Sequence, residues 1–316
     1  MLTNKKISVV VICYQDEPAI SLMYERLTKT LRKITPDYEI IYVNDASPDN
    51  AEEVLRNLAA QDPLITVINH SRNFGSQNSF ISGMTQALGD LVVILDGDLQ
   101  DPPEMIEDFA RKWMEGYNVV YGIRIKREAR GFMRFAYKFF YRIFKKLSYI
   151  KIPLDAGDFS LMDRKVVDAI ISMPEKDIFL RGLRAWSGFK QIGIEYNRPK
   201  RLFGKTTNSL VKNIRWAKKG IFSFSYLPLE WISYLAAIIV VVSFLALIFY
   251  LASYIFVFLP KGPKGIQTII ILILFIGGIQ LLAISIIGEY LAKIFEETKC
   301  RPKYIIKEII NDHKNK

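Results

Sequence analysis

Cysteine is almost missing: the 316 residues hold two, Cys13 inside an apolar run and Cys300 near the end. That excludes a disulfide framework or a cysteine-built zinc site and fits a reducing compartment. No Gly-x-Gly-x-x-Gly follows the first apolar run, and there is no Gly-x-x-x-x-Gly-Lys-Ser/Thr loop. Dinucleotide-binding and P-loop folds are therefore disfavoured. The start does not read as an export leader either. After Lys5-Lys6, the apolar run 7–14 soon meets Asp16 and Glu17, a poor signal peptide and a good first strand. Acids are absent from residues 198–219, which carry eight Lys/Arg, and nearly so from 124–151, where ten Lys/Arg face Glu128 alone. The net charge of +11 thus belongs to two basic patches on an otherwise acidic chain. Such patches suit anionic lipid or nucleic acid.

Strand and helix alternate through the first 121 residues. Apolar runs at 7–14, 38–43, 64–68, 91–95 and 117–121 read as strands, and the apolar stripes or polar segments over 17–33, 50–60, 76–88 and 102–115 as helices. That spacing predicts a parallel, doubly wound α/β sheet. The run Leu91-Val-Val-Ile-Leu95 is apolar throughout, as a strand buried on both faces must be, and it ends in Asp96-Gly97-Asp98. Two carboxylates therefore leave the carboxyl end of a core strand, where open α/β sheets place their ligands. Two residues apart, they point the same way in an extended segment, and Gly97 admits a ligand close to the backbone. With the amide oxygen of Gln100 they offer hard oxygen ligands to Mg2+ or Mn2+. Asp101 stands where an N-cap belongs, before Pro102. A lone Asp-x-Asp is as readily a solvated turn, so the rest of the chain has to decide.

Residues 128–150 are basic and aromatic together, with Phe132, Phe135, Phe139, Phe140, Tyr141 and Phe144 among Arg130, Arg134, Lys138, Arg142, Lys145 and Lys146. A helix lying in a membrane interface has this composition, and a basic soluble surface is the plainer alternative. Mean hydropathy is +0.14, and the excess lies after Leu227. Residues 231–259 and 265–288 carry no charge, and each exceeds the roughly 20 residues needed to span a bilayer. Two passes return the chain to one side, and the Lys/Arg load before the first places that side in the cytoplasm. The expected location is the inner (plasma) membrane with two spans.

Asn44-Asp-Ala-Ser47, Ser71-Arg-Asn-Phe-Gly75, Asp96-Gly-Asp-Leu-Gln-Asp-Pro-Pro103 and Gly157-Asp-Phe159 occur in this order. Together they resemble family 2 glycosyltransferases of the GT-A fold, nearest the polyprenyl-phosphate glycosyltransferases: the dolichol-phosphate mannose synthases and bactoprenol glucosyltransferases. The resemblance covers the whole chain. It implies an α/β GT-A (nucleotide-sugar-binding, Rossmann-like) catalytic domain over 1–226 with interface helices near 128–150 and 207–222. Two transmembrane helices over 227–292 and a cytoplasmic tail at 293–316 would follow. It also implies roles. Ile12, Tyr14 and Asp16 would hold the nucleotide, Asp16 standing where Glu is usual. Asp45 would accept a hydrogen bond from the base, and Arg72 would support the nucleotide pocket. Asp96 would face sugar and nucleotide, and Asp98 with Gln100, joined by Asp96, would hold the metal. Asp158, with Asp155 beside it, would be the catalytic or acceptor-orienting acid. Arg124, helped by Arg127 and Arg134, would grip the acceptor phosphate. Arg201 and Lys205 would close over the donor diphosphate, although Thr207 stands where the family often has Lys. Ser76-Gln77 replaces a bulkier basic or His position. Arg181-Gly-Leu-Arg-Ala-Trp186 faintly resembles the Gln-x-x-Arg-Trp of processive synthases, but the Gln is absent and two spans make a poor extrusion channel.

The implied reaction is inverting, metal-dependent transfer of one hexose, glucose from UDP-glucose, to undecaprenyl or another polyprenyl phosphate. GDP-mannose or a UDP-aminosugar are alternative donors. A membrane adaptor that binds a nucleotide-sugar or lipid without catalysis is the reading from another class. Nucleic acid is not an expected partner, because that reading leaves the Asp-x-Asp unexplained. Chains with this tail can assemble as homo-oligomers, tetramers among them.

Overall fold

The computed structural model describes residues 1–124, 156–199, 202–203, 225, 227–256 and 265–314. The described elements are β1 (Ile7–Cys13), α1 (Ile20–Ile34), β2 (Tyr38–Asn44), α2 (Ala51–Gln61), β3 (Ile65–His70), α3 (Ser76–Gln86), β4 (Leu91–Asp96), α4 (Met105–Met114), β5 (Val119–Arg124), β6 (Ala156–Asp163), α5 (Arg164–Ser172), α6 (Leu180–Trp186), β7 (Gln191–Tyr196), α7 (Leu227–Phe256), α8 (Ile266–Thr298) and β8 (Ile306–Ile310). The interface helices expected near 128–150 and 207–222 lie outside the described residues.

Eight strands form one sheet in the order β7-β5-β6-β4-β1-β2-β3-β8. The contiguous apolar runs of β1 and β4 belong at its centre, because helices cover both faces. Val9 and Val11 pack with Leu27 and Leu31 of α1, Leu55 of α2 and Phe109 of α4. Val10 packs on the other face with Phe80 of α3, Val166 of α5 and Leu183 of α6. β4, β1, β2 and β3 are mutually parallel, as the alternation requires.

The wholly parallel sheet is corrected at two strands. β6 inserts between β4 and β5 and runs antiparallel to both. Its residues Phe159 and Leu161 enter one core and Met162 the other, a period of two hidden in an eight-residue stretch that also carries Gly157 and two acids. β8 pairs antiparallel with β3, Val67 opposite Ile310. Residues 293–316, expected as a tail, thus complete α8 and then close one sheet edge. Glu308 on β8 receives both guanidinium nitrogens of Arg56, at 3.2 and 2.6 Å.

α7 and α8 are long and apolar enough to cross a membrane, and none of their apolar windows, Leu227–Leu245 and Leu272–Thr298, is buried by the protein itself. Leucine and isoleucine exposed along both windows require a non-aqueous cover. The helices touch each other, and the Tyr290 hydroxyl donates to the Ser225 carbonyl at 2.7 Å. Through β8, α8 is fastened to the sheet that carries the acids.

Candidate active site

The candidate site lies along the carboxyl ends of β1, β2, β3 and β4. Three non-glycine residues in the loops there are left-handed, Gln15 (φ 60°), Ala46 (φ 52°) and Leu99 (φ 60°). Each costs on the order of 1 kcal/mol or more, and hydrogen bonds hold the first two loops in that shape. The Gln15 amide donates to Ser47 Oγ at 2.7 Å, the Ser47 hydroxyl to Asp49 at 2.5 Å, and the Glu17 amide to Asp49 at 3.0 Å. Ile12 is half-buried, Asp16 is buried, and Tyr14 stands exposed at the mouth.

Asp45 is buried, with every visible partner inside the protein. One oxygen accepts from the Phe74 amide at 2.8 Å and from His70 Nδ1 at 2.9 Å, and the other from the Gly75 amide at 2.7 Å. Burial opposes the carboxylate, but the bonds from His70 and the two amides outweigh it and hold the acid below its ordinary range. A base N–H would share oxygens already engaged. What the structure shows Asp45 doing is shaping the 70–75 loop, whose His70 ring stacks on Tyr304 from beyond α8 at 5.5 Å and 14°. Asp45→Ala strands three donors. We expect the unfolding midpoint to fall by about 4–8 °C, from roughly 2 kcal/mol lost. Hydrogen exchange at the Phe74 and Gly75 amides should accelerate with it, and protected amides in the variant would count against the assignment.

Asp96, Asp98, Asp101 and Asp158 converge across β4 and β6. The last paired residues are Ile94 and Ser160, so the register continued by two brings Asp158 opposite Asp96. The structure places Asp158 on β6. Asp96 is pushed up to about 8, first by burial and then by Asp101, Asp98 and Asp158, with Arg124 pulling the other way. Gly97 seats this corner: its amide donates to the Ile12 carbonyl at 2.9 Å, and a Cβ there would lie 2.6 Å from that oxygen. Gly97→Ala must push the Asp96-Asp98 corner off β1. The expected result is a 10- to 100-fold loss in kcat/KM from sub-ångström misplacement, and steady-state kinetics at wild-type rate would refute it.

Asp101 does not cap the following helix. α4 starts at Met105, and Glu104 at its N-cap makes no side-chain capping bond. Asp101 is instead buried among cations and a phenol: it accepts from the Tyr196 hydroxyl, lies 3.5 Å from Arg124 through both oxygens and 3.9 Å from Arg198. Arg124 Nε also donates to Tyr196 at 3.2 Å. Burial disfavours the Arg124 cation, yet Asp101 and Tyr196 hold it more firmly charged than usual. Arg198 approaches Asp98 at 3.8 Å, and the Gln100 amide nitrogen donates to the Pro199 carbonyl at 3.2 Å, leaving its oxygen for a ligand.

Asp158 is gripped by Arg181, Nε to Oδ1 at 3.0 Å and Nη2 to Oδ2 at 3.2 Å. Gln77 donates to it at 3.2 Å while accepting from the Leu180 amide at 2.9 Å. Burial disfavours the Asp158 charge, but Arg181 overrides it and the carboxyl sits below its ordinary range. Arg184, one turn along α6, is buried over the Tyr121 ring at 4.7 Å. Sequence reasoning missed Arg181, Tyr196 and Arg198. The only signal was the Arg-rich segment 181–186. Arg72 faces the residues beyond α8 and stacks over Phe74 at 4.3 Å, away from the acids. Asp155, Arg127, Arg134, Arg201 and Lys205 lie outside the described residues.

Residues 8–171, from β1 into α5, match the model of "Glycosyl transferase family 2". The chain belongs to glycosyl transferase family 2. It is a glycosyltransferase with a GT-A catalytic domain, and similar proteins run its whole length. The glycosyltransferase YkcC of Bacillus subtilis is 40% identical over 302 residues, covering 95% of this chain and 93% of that one. The bactoprenol glucosyl transferase of Shigella phage SfV is 37% identical over 306 residues, covering 96% and 98%. The prophage bactoprenol glucosyl transferase homolog of Escherichia coli K12 is 36% identical over 305 residues, covering 96% and 99%.

The donor set fits a divalent cation. Asp96 and Asp98 offer hard oxygens with Gln100 two residues on, and burial, then Asp101, Asp98 and Asp158, push Asp96 up to about 8. Among the described residues no three His, Cys, Asp or Glu side chains close a complete metal cage. An ion held by few protein ligands leaves coordination positions for water and phosphate oxygens.

Proposed function

We propose that the enzyme transfers a single glucose from UDP-glucose to a polyprenyl phosphate at the cytoplasmic face of the plasma membrane, with inversion at the anomeric carbon. The observation that carries this is the similarity to bactoprenol glucosyl transferases over 96% of the chain, both apolar helices included. A soluble donor site fastened through β8 to two membrane-length helices suits one water-soluble and one lipid substrate.

Asp98, Gln100 and Asp96 would hold Mg2+ or Mn2+, which neutralises charge on the leaving diphosphate when bound. Tyr14 and Asp16 border the nucleotide, and Arg201 and Lys205 add positive charge over the diphosphate. Arg124, held charged by Asp101 and oriented by Tyr196, receives the acceptor phosphate. A phosphate monoester with a second pKa near 6 is already largely dianionic at neutral pH. Its oxygen attacks the anomeric carbon opposite the departing diphosphate without needing a base. Asp158, paired with Arg181, orients the acceptor and keeps its charge fixed. The Lys/Arg load ahead of α7 keeps the catalytic domain cytoplasmic.

The test is purified protein in detergent with undecaprenyl phosphate, Mg2+ or Mn2+ and a panel of radiolabelled nucleotide-sugars. Label from UDP-glucose should enter the organic phase and EDTA should stop it. Transfer from GDP-mannose or a UDP-aminosugar instead would replace the donor. Binding of every donor with no transfer would replace catalysis by the adaptor reading.

A further inference from the structure

Outside the acid cluster, a cavity of about 400 Å3 opens where the 72–75 loop meets the end of α8. Its walls carry five cations, Arg72, Lys176, Lys299, Arg301 and Lys303, against one acid, Glu296. Glu296 is taken by Lys299 at 2.7 Å. Among the described residues, none of the other four cations has a carboxylate within ion-pair distance. Arg72 donates to its neighbour's carbonyl, and Lys303 to the Met173 carbonyl at 2.7 Å. Glu175 and Glu297 stand near Lys303, and Glu297 accepts from the Lys176 amide. Even so, burial and then Lys176 outweigh them and hold the Lys303 ammonium below its ordinary range. A cavity that gathers five cations from three chain segments and pairs only Lys299 among the described residues is short of an anion.

We propose that this cavity binds a phosphoryl group, supplied by inorganic phosphate in solution. Its size suits a small ligand, and guanidinium with ammonium groups is the usual donor set for phosphate oxygens. The source follows from α8. Eleven residues separate Gly288, the last of the charge-free run, from Lys299 on the cavity wall, which is about 16 Å of helix. The apolar window runs on to Thr298, but past Gly288 it carries Glu289, Lys293, Glu296 and Glu297, and Lys293 pairs with Asp177 of the catalytic domain at 2.7 Å, so the end of α8 that walls the cavity is its charged, water-facing one. Bound there, phosphate ties the end of α8 to the loop whose Phe74 and Gly75 amides hold Asp45. The site shares no residue with the acid cluster and stands whether or not the donor is UDP-glucose.

The experiment is thermal unfolding of the full chain in detergent with EDTA, titrated with inorganic phosphate at constant ionic strength. We expect a saturable rise in midpoint. Lys176→Ala/Arg301→Ala should weaken it at least tenfold, and Lys176→Arg/Arg301→Lys should retain it. Neither pair should alter the starting midpoint or transfer in phosphate-free buffer. Asp98→Asn should keep the phosphate response. No saturable rise, or one that survives Lys176→Ala/Arg301→Ala, overturns the site. A rise abolished by Asp98→Asn assigns the anion to the donor pocket and overturns it too. In nanodiscs, a response equal in phosphatidylcholine and in phosphatidylglycerol supports the solution source. Loss of the response only with phosphatidylglycerol overturns that source in favour of the lipid headgroup.

Discussion

Asp98→Asn is expected to lower sugar transfer at least 1,000-fold, about 4 kcal/mol of transition-state stabilisation, while leaving the protein as stable or more so. The two halves have one cause. Asp98 stands in a group of four carboxylates, where burial and then the repulsion of Asp101, Asp98 and Asp158 push Asp96 up to about 8. Asparagine keeps the shape and hydrogen-bonding reach of the side chain and removes one of those charges, so the folded state without metal loses repulsion. The same change removes the anionic oxygen that a divalent cation needs. Two measurements read the halves separately: transfer to undecaprenyl phosphate, and the unfolding midpoint with EDTA against Mn2+. Mn2+ should raise the wild-type midpoint and leave that of Asp98→Asn unmoved. A variant that keeps a tenth of the activity, or whose midpoint still responds to Mn2+, would show that Asp98 is not the anionic ligand. A variant that loses activity and unfolds early would make Asp98 structural, which the repulsion around it argues against.

What could be read in advance follows the range of the forces involved. β1 to β4 announce themselves because a strand buried on both faces must be apolar at every position, and 91–95 is. Gly97 was visible as a point of close approach, but what approaches its backbone is the Ile12 carbonyl of β1 where the sequence suggested a ligand. Non-local pairings were not visible. β6 begins 65 residues after β4 starts and pairs across β4 and β5. β8 follows both apolar helices, and no local pattern could connect Ile310 with Val67. The acids divide in the same way. Asp96 and Asp98 are placed by their own strand. Asp101 looked like a cap because Ser, Asn or Asp before Pro usually is one, and was captured instead by Arg124 and Tyr196, 23 and 95 residues on. Asp45 was legible as a conspicuous acid and illegible as the clamp of the 70–75 loop, because its donors are backbone amides without a sequence signature.

Arg181→Met should cost roughly 3 kcal/mol, a fall of about 6–12 °C in the unfolding midpoint, together with most of the activity. Removing Arg181 takes away the main counter-ion of a carboxylate that is only 12% exposed and leaves it to the more distant Arg184 and Arg124. Two controls separate charge from packing. In Asp158→Asn/Arg181→Met the stranded charge is gone, so most of the midpoint should return while transfer stays lost, because the acceptor-orienting carboxylate is missing. The second control is pH. In the wild type Arg181 holds the Asp158 pKa below its unfolded value, so the pair's contribution is complete above that value, near 3.9, and fades as pH falls through the lower folded one. In Arg181→Met the largest influence holding the folded pKa down is gone and it rises, although Arg184 and Arg124 remain, so the variant loses less stability on acidification. The gap between the two proteins therefore narrows toward low pH. A deficit that does not change with pH would mean that Arg181 acts by packing α6 against β6, and the ion pair would lose its place in the account of the site.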